Sequence, residues 1–179
     1  LVLDGGGALG LAHAGVLQWF EEHHIPITYI GGTSMGGLVG GLWATGYTSA
    51  GILQFVSTVN WDEAFTPAPP FYEVAFRRKQ DRRDFPNRLE FGLKNGFRIP
   101  PGLASGQQVG LALSRFAAPW AADSTNFDDL PTPFRCVSVD LISGKQVIFD
   151  KGSLPLALRS TMSLPGIFPP TSVDGKLLV

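Results

Sequence analysis

Ser34 stands in "GGTSMGG" (31–37), one hydroxyl among four glycines, directly after one apolar run and directly before another. Glycine is entropically costly wherever a side chain would serve, so this density has a backbone reason: a phosphate, a tight turn or a nucleophile. Gly32-Thr33-Ser34-Met35-Gly36 fits G-x-S-x-G between an apolar strand and a helix, the setting of a nucleophile elbow. In that turn the serine is held in a strained conformation with its hydroxyl clear of the sheet. A side chain two positions to either side would strike the neighbouring strand or helix. The competing reading is a fortuitous glycine turn; the strand before, the helix after and a second glycine loop upstream weigh against it.

That second loop, "GGGALG" (Gly5–Gly10), satisfies G-x-G-x-x-G after a strand and at the opening of a helix. The pattern raises a dinucleotide-binding domain as a rival function. Such a domain places a carboxylate about twenty positions on, at the end of the second strand. Here that strand ends in Gly31-Gly32-Thr33-Ser34, without an acid. No G-x-x-x-x-G-K-[ST] run is present either, so a P-loop fails. What remains is anion stabilisation by backbone N–H groups at a helix start, and the anion can be a reaction oxyanion. A plain packing turn is the alternative.

A nucleophilic serine needs a base. The hydrolase order is Ser, then Asp or Glu, then His. His13, His23 and His24 all precede Ser34, and no histidine follows it. His13 reads as packing within the first helix, and the other two as solvent-facing at its far end. Two options stay open: a histidine beyond Val179, or a carboxylate acting on the serine directly.

The elements around these residues alternate. "LVLD" (1–4) and "ITYIG" (27–31) read as buried strands, each followed by glycines and a helix. The first helix carries Leu9, Ala12, Val16 and Phe20 at helical spacing, with Leu17 alongside. In "GLVGGLWATG" the small residues Gly37, Gly41 and Ala44 share one face, and Gly46 is a stop. Thr48 or Ser49 caps a further helix, and "GQQVGLALSRFAAPW" forms another. "PFRCVSVDL" and "KQVIFD" form a hairpin through Ser143-Gly144. Ser153 and Pro155 open "LPLALRSTM", and an Asp174-Gly175 turn leads into a last strand. Strand–helix alternation predicts an α/β, three-layer α/β/α sandwich with a mostly parallel central sheet and a nucleophile elbow.

With 179 residues the chain is one domain, 1–179. Periodicity dissolves between 61 and 104, which reads as an irregular cover or insertion. It contains the basic run Arg77–Arg88, read as a solvated loop or a contact for anionic head groups, and Phe71, Tyr72, Phe76 and Phe85, which line an acyl site or pack the loop down. A net charge of −1 argues against nucleic-acid binding by phosphate neutralisation. One cysteine, Cys136, excludes an internal disulfide and a cysteine-rich metal site, and reads as inert core. Ser105 reads as a helix cap. No apolar run is long enough to span a bilayer, no signal peptide is visible, and the localisation stays open. The chain opens and closes inside strands, so it reads as a piece truncated at both ends.

Taken together, "DGGGALGLAHAGVL", "GGTSMGG" and "LPTPFRCVSVDLISGKQVIFDKGSLPLALRSTMSLPGIFPP" resemble the patatin-like phospholipase family. The resemblance covers both ends of the chain and leaves the middle generic. It implies the fold shared by patatin and cytosolic phospholipase A2, and acyl hydrolysis of lipid carboxylic esters by a Ser-Asp dyad with neither metal nor cofactor. A peripheral membrane surface is an implied partner besides the lipid. By the same resemblance Ser34 is the nucleophile, Gly5, Gly6 and Gly7 are backbone donors of the oxyanion hole, and Gly10 closes that motif. Two departures stand out. Leu9 occupies a position where the family often has Arg or Lys. Asp174-Gly175 is followed by Lys176, whereas the family's catalytic aspartate stands in Asp-Gly-Gly or Asp-Gly-Ala; the resemblance puts that aspartate just after Val179. A catalytically silent member that only binds lipid is the remaining rival.

Overall fold

The computed structural model describes residues 1–61, 76 and 106–179. Strand β1 (Val2–Leu3) pairs in parallel with β2 (Ile30–Gly32), Leu3 opposite Gly32. In turn, β2 pairs in parallel with β3 (Phe134–Val139), Gly32 opposite Cys136. The edge strand β4 (Gln146–Phe149) runs antiparallel to β3, returning through a turn in which Gly144 has φ +68°. Parallel neighbours require long crossovers, and helices supply them. A 3₁₀ turn (Gly7–Leu11) and α1 (Ala12–Glu22) join β1 to β2. Helices α2 (Met35–Ala44), α3 (Ser49–Thr58) and α4 (Gln107–Phe116) precede β3. Helix α5 (Leu154–Thr161) follows β4, and the hairpin β5 (Thr171–Val173) and β6 (Lys176–Leu178) ends the described chain. This is the expected α/β architecture, a mostly parallel central sheet flanked by helices.

Nine of the ten residues of α2 are buried, and its glycines set how closely its neighbours approach. A Cβ on Gly40 would lie 3.3 Å from Phe134, one on Gly37 2.9 Å from Thr161, and one on Gly41 3.0 Å from Leu158. The small face predicted for this helix is therefore where α5 seats, with Ala44 buried behind it. Helix α2 stops at Gly46 (φ +95°), and Thr48 caps α3 by accepting from the N–H of Gly51 at 3.1 Å.

Three local expectations are corrected. Leu9, Ala12 and Val16 are exposed; the buried stripe of the first helical segment is Gly10, Ala14 and Leu17. The tight 3₁₀ turn shifts the helical phase, and the face against α2 admits only small residues at its start. Strand β2 begins at Ile30 rather than Ile27. Ser153 precedes α5 without a side-chain cap bond; its carbonyl accepts from Ala157 instead. Strand β5, read from the sequence as loop, pairs antiparallel with β6.

Candidate active site

Ser34 has φ 54° and ψ −121°, a backbone conformation that costs a non-glycine residue roughly 1–3 kcal/mol and persists only where the surroundings impose it. The surroundings are the flanking glycines. A Cβ on Gly32 would sit 2.2 Å from the carbonyl oxygen of Gly36; one on Gly36 would sit 2.3 Å from that of Leu3 and 2.5 Å from that of Asp4. All those atoms are backbone, so nothing can yield. The Leu38 N–H donates to the Ser34 carbonyl at 3.0 Å and starts α2 directly from the turn. The N–H of Ser34 donates to Thr161 Oγ1 at 3.0 Å, and the Thr161 hydroxyl donates onward to the Val137 carbonyl. Thr161 thus ties the elbow to α5 and β3 at once. The Ser160-Thr161 pair at the end of α5 is its only signal in the sequence.

The glycine loop lies against the elbow. A Cβ on Gly5 would be 3.3 Å from the Cβ of Ser34. Gly6 and Gly7 have φ 149° and 55°, values that favour glycine. Their amides carry no hydrogen bond among the described residues, whereas the Gly5 amide donates to Asp4 Oδ1 at 2.8 Å. Gly10 has another physical role: a Cβ there would lie 2.6 Å from Met35, so its smallness lets the loop close on the residue after Ser34.

None of the three histidines is directed at Ser34. His13 donates from Nε2 to the Asp4 carbonyl at 2.8 Å, bracing the glycine loop from below. His23 and His24 use Nδ1 on the carbonyls of Trp19 and Glu21 at the exposed end of α1. Asp174 occupies the exposed turn of the β5–β6 hairpin with φ 49°, followed by Gly175 at φ 75°.

β6 is placed by β3. Val139 and Val179 exchange both backbone hydrogen bonds at 2.9 Å, and the Leu141 N–H donates to Leu177 at 2.7 Å. The Asp140 N–H bonds Lys145 on the β4 side, so Val139 turns its own N–H and C=O to the β2 side. β6 therefore lies in line with β2, beyond its end, and runs antiparallel to β3 toward the elbow. The Asp140 carboxylate anchors this arrangement. It accepts from the Ser143 hydroxyl at 2.6 Å, from the N–H groups of Ile142 and Ser143, and from the N–H of Leu177 at 3.3 Å. Those donors, the Ser143 hydroxyl foremost, hold its pKa below the ordinary carboxylate value.

Cys136 is fully buried, and desolvation pushes its thiol far above the usual range, consistent with inert core. A separate cavity of about 360 Å3, between α3 and α4 and bounded by Tyr47, Phe55, Arg115 and Phe116, is lined by neither Ser34 nor any residue of the glycine loop. The basic run, Phe71, Tyr72, Phe85 and Ser105 lie outside the described residues; Phe76 is exposed.

A model of the patatin-like phospholipases matches residues 1–179, the full length of the chain. The chain belongs to the patatin-like phospholipase family. Among curated relatives, this patatin-like domain is 30% identical over 178 residues to an uncharacterized NTE family protein of Mycobacterium bovis, covering 99% of the chain and 41% of the relative. It is 29% identical over 179 residues to a lysophospholipase, NTE1, of Mycosarcoma maydis, covering 100% of the chain and 8% of that protein. The chain thus spans about two fifths of the mycobacterial relative and a small part of the fungal one. In fold it is similar to VipD from Legionella pneumophila (TM-score 0.58, 12% identity, 99% of this chain and 44% of that one). It is also similar to the type III effector ExoU (TM-score 0.54, 18% identity, 93% of this chain and 40% of that one). At such identities the likeness speaks for the fold alone.

Proposed function

We propose that this chain is the catalytic domain of a serine hydrolase that cleaves carboxylic esters of lipids through an acyl-enzyme. The observation that carries the reading is the strained Ser34, at φ 54° between two glycines that backbone atoms forbid to be anything else, with a glycine loop against its Cβ. Family membership and the similarity to a protein named as a lysophospholipase support lipid as the substrate class.

Ser34 Oγ attacks the ester carbonyl carbon as a carboxylate takes its proton. The oxyanion is met by the amides of Gly6 and Gly7; that of Gly5 joins them when it leaves Asp4 Oδ1. One such donor is typically worth about 3–4 kcal/mol of barrier. The alcohol departs with the proton, and water then releases the fatty acid from Ser34. For the base we propose an aspartate as the residue after Val179, where the course of β6 brings the backbone toward the elbow.

The test is labelling of the full-length protein by a fluorophosphonate, read beside release of fatty acid from a lysophospholipid. Ser34→Ala should abolish both. A variant that is still labelled, or a parent that binds lipid vesicles without turnover, would sink the assignment.

A further inference from the structure

The hydroxyl of Ser138 is buried on β3, the residue being 3% exposed, and has no hydrogen-bond partner among the described residues. A buried hydroxyl without a partner is costly, and where one persists it asks for an explanation. Ser138 also lies beside the turn that carries Ser34, because Gly32, the last residue of β2, is opposite Cys136, and two residues further lead to Ser34 in the turn and to Ser138 on β3. Across the other pairing, Val139 faces Val179 and Asp140 faces Leu178. Continued one step further in the same register, the strand would bring the residue after Val179 opposite Ser138. Directly opposed residues of antiparallel strands point their side chains to the same side, with Cβ atoms about 4.5–5.5 Å apart. That side is the one on which Asp140 and Leu178 are buried and on which Phe134 meets α2.

From this juxtaposition we infer that Ser138 is a positioning residue: its hydroxyl donates a hydrogen bond to the carboxylate that follows Val179 and aims that carboxylate at Ser34. The inference rests on the reading of Ser34 and its base given above. A carboxylate has several acceptor positions and needs only one for the serine proton, so a second donor can hold its plane without consuming its basicity. The ionisable groups on the elements around Ser138 are few. On β3 Arg135 is paired with Asp128 at 2.9 Å and Cys136 is buried and neutral; Asp140, just past β3, is occupied by its own turn. Lys176 on β6 is exposed; Arg159 on α5 donates to Ser163 at 2.7 Å and lies over the ring of Phe168. None of them has Ser138 as a hydrogen-bond partner, and α2, β2 and β4 carry no ionisable side chain.

The experiment is Ser138→Ala and Ser138→Thr in the full-length protein, with kcat, KM, the pH profile of kcat/KM and thermal unfolding measured for each. Ser138→Ala should lower kcat roughly ten- to a hundred-fold, the worth of a hydrogen bond to a charged group, with KM unchanged. Its acid limb should move up by about one pH unit, because a carboxylate that loses a donor binds its proton more tightly. Its Tm should hold or rise, since the substitution removes a buried hydroxyl that the folded chain otherwise leaves unbonded. Ser138→Thr, which keeps the hydroxyl and suits a strand, should restore kcat and the acid limb. Parental kinetics in Ser138→Ala would overturn the inference, as would activity and Tm falling together without rescue by Thr, or a residue after Val179 that is not an acid. Full activity in Ser34→Ala would instead overturn the reading of the site itself.

Discussion

At the scale of single residues, the chemistry rests on what cannot be replaced. Gly36→Ala would drive a methyl group into two backbone carbonyls of β1, at 2.3 and 2.5 Å, and neither can rotate away. Overpacking of this kind costs about 1–3 kcal/mol or more. The expected outcome is a lower Tm together with loss of fluorophosphonate labelling, because relief is available only by unwinding the turn that presents Ser34. Thr161→Val keeps the shape and removes the acceptor of the Ser34 N–H. Leaving that amide unpaired should cost about 1–3 kcal/mol in denaturant unfolding. Activity should fall as well, since the elbow loses its tie to α5. Asp140 yields a prediction with a sign. Its folded pKa lies below the ordinary value, so its contribution is present above the unfolded pKa and lost as pH falls through the folded one. Asp140→Asn should therefore unfold at lower temperature near neutrality, and the gap to the parent should close below about pH 3–4. Melting curves across that range check it.

At the scale of elements, glycine on α2 decides how the helices stack. The face of Gly37, Gly41 and Ala44 was legible because small residues at i, i+4 and i+7 have one obvious use, a close helix contact. That the contact is with α5, and that Thr161 reaches through it to the serine, was not legible: the two segments are more than a hundred residues apart. The first helix shows the opposite failure. Counting from Leu9 gave a plausible apolar stripe, yet Leu9 is 84% exposed. A five-residue 3₁₀ turn advances about 120° per residue instead of 100°, so the phase read from sequence does not survive it. Helix α3 is anchored twice at its start, by the Thr48 side chain and by Glu21 of α1, which accepts from the N–H and hydroxyl of Ser49. Thr48→Ala should cost about 1 kcal/mol, measurable in chemical denaturation, with labelling of Ser34 intact because the cap lies outside the site.

At the scale of the whole molecule, three strand ends meet: the glycine loop leaves β1, the elbow leaves β2, and β6 arrives beside the far end of β3. Open parallel sheets place their chemistry at the carboxyl ends of the strands for this reason. The hairpin that completes the arrangement is tied to the body by Leu178, which is fully buried, and by the Asp140 carboxylate. Leu178→Ala should lower stability by about 2–5 kcal/mol, the range for a buried leucine, in urea unfolding of the full-length protein. Fluorophosphonate labelling of Ser34 should weaken with it, since the same residue aligns β6 on its approach to Ser34. Among the described residues no helix is long and apolar enough to cross a membrane.

The sequence by itself determined the nucleophile candidate, the candidate anion-binding loop and the alternation of strands and helices. Each is written in a local pattern: glycines where a Cβ cannot fit, apolar residues at the period of their element, small residues along one helical face. Up to Val179 no histidine follows Ser34, which leaves a histidine further on or a carboxylate as the base, and the family resemblance points to the carboxylate. Tertiary structure alone decided which groups meet at the serine. The Gly5 amide turns to Asp4, His13 braces the loop, Thr161 reaches the Ser34 amide from more than a hundred residues away, and β3 brings Ser138 beside the turn that follows β2. A side chain's partner across a sheet is set by strand register, and register is set by the burial of whole faces rather than by any neighbour in sequence.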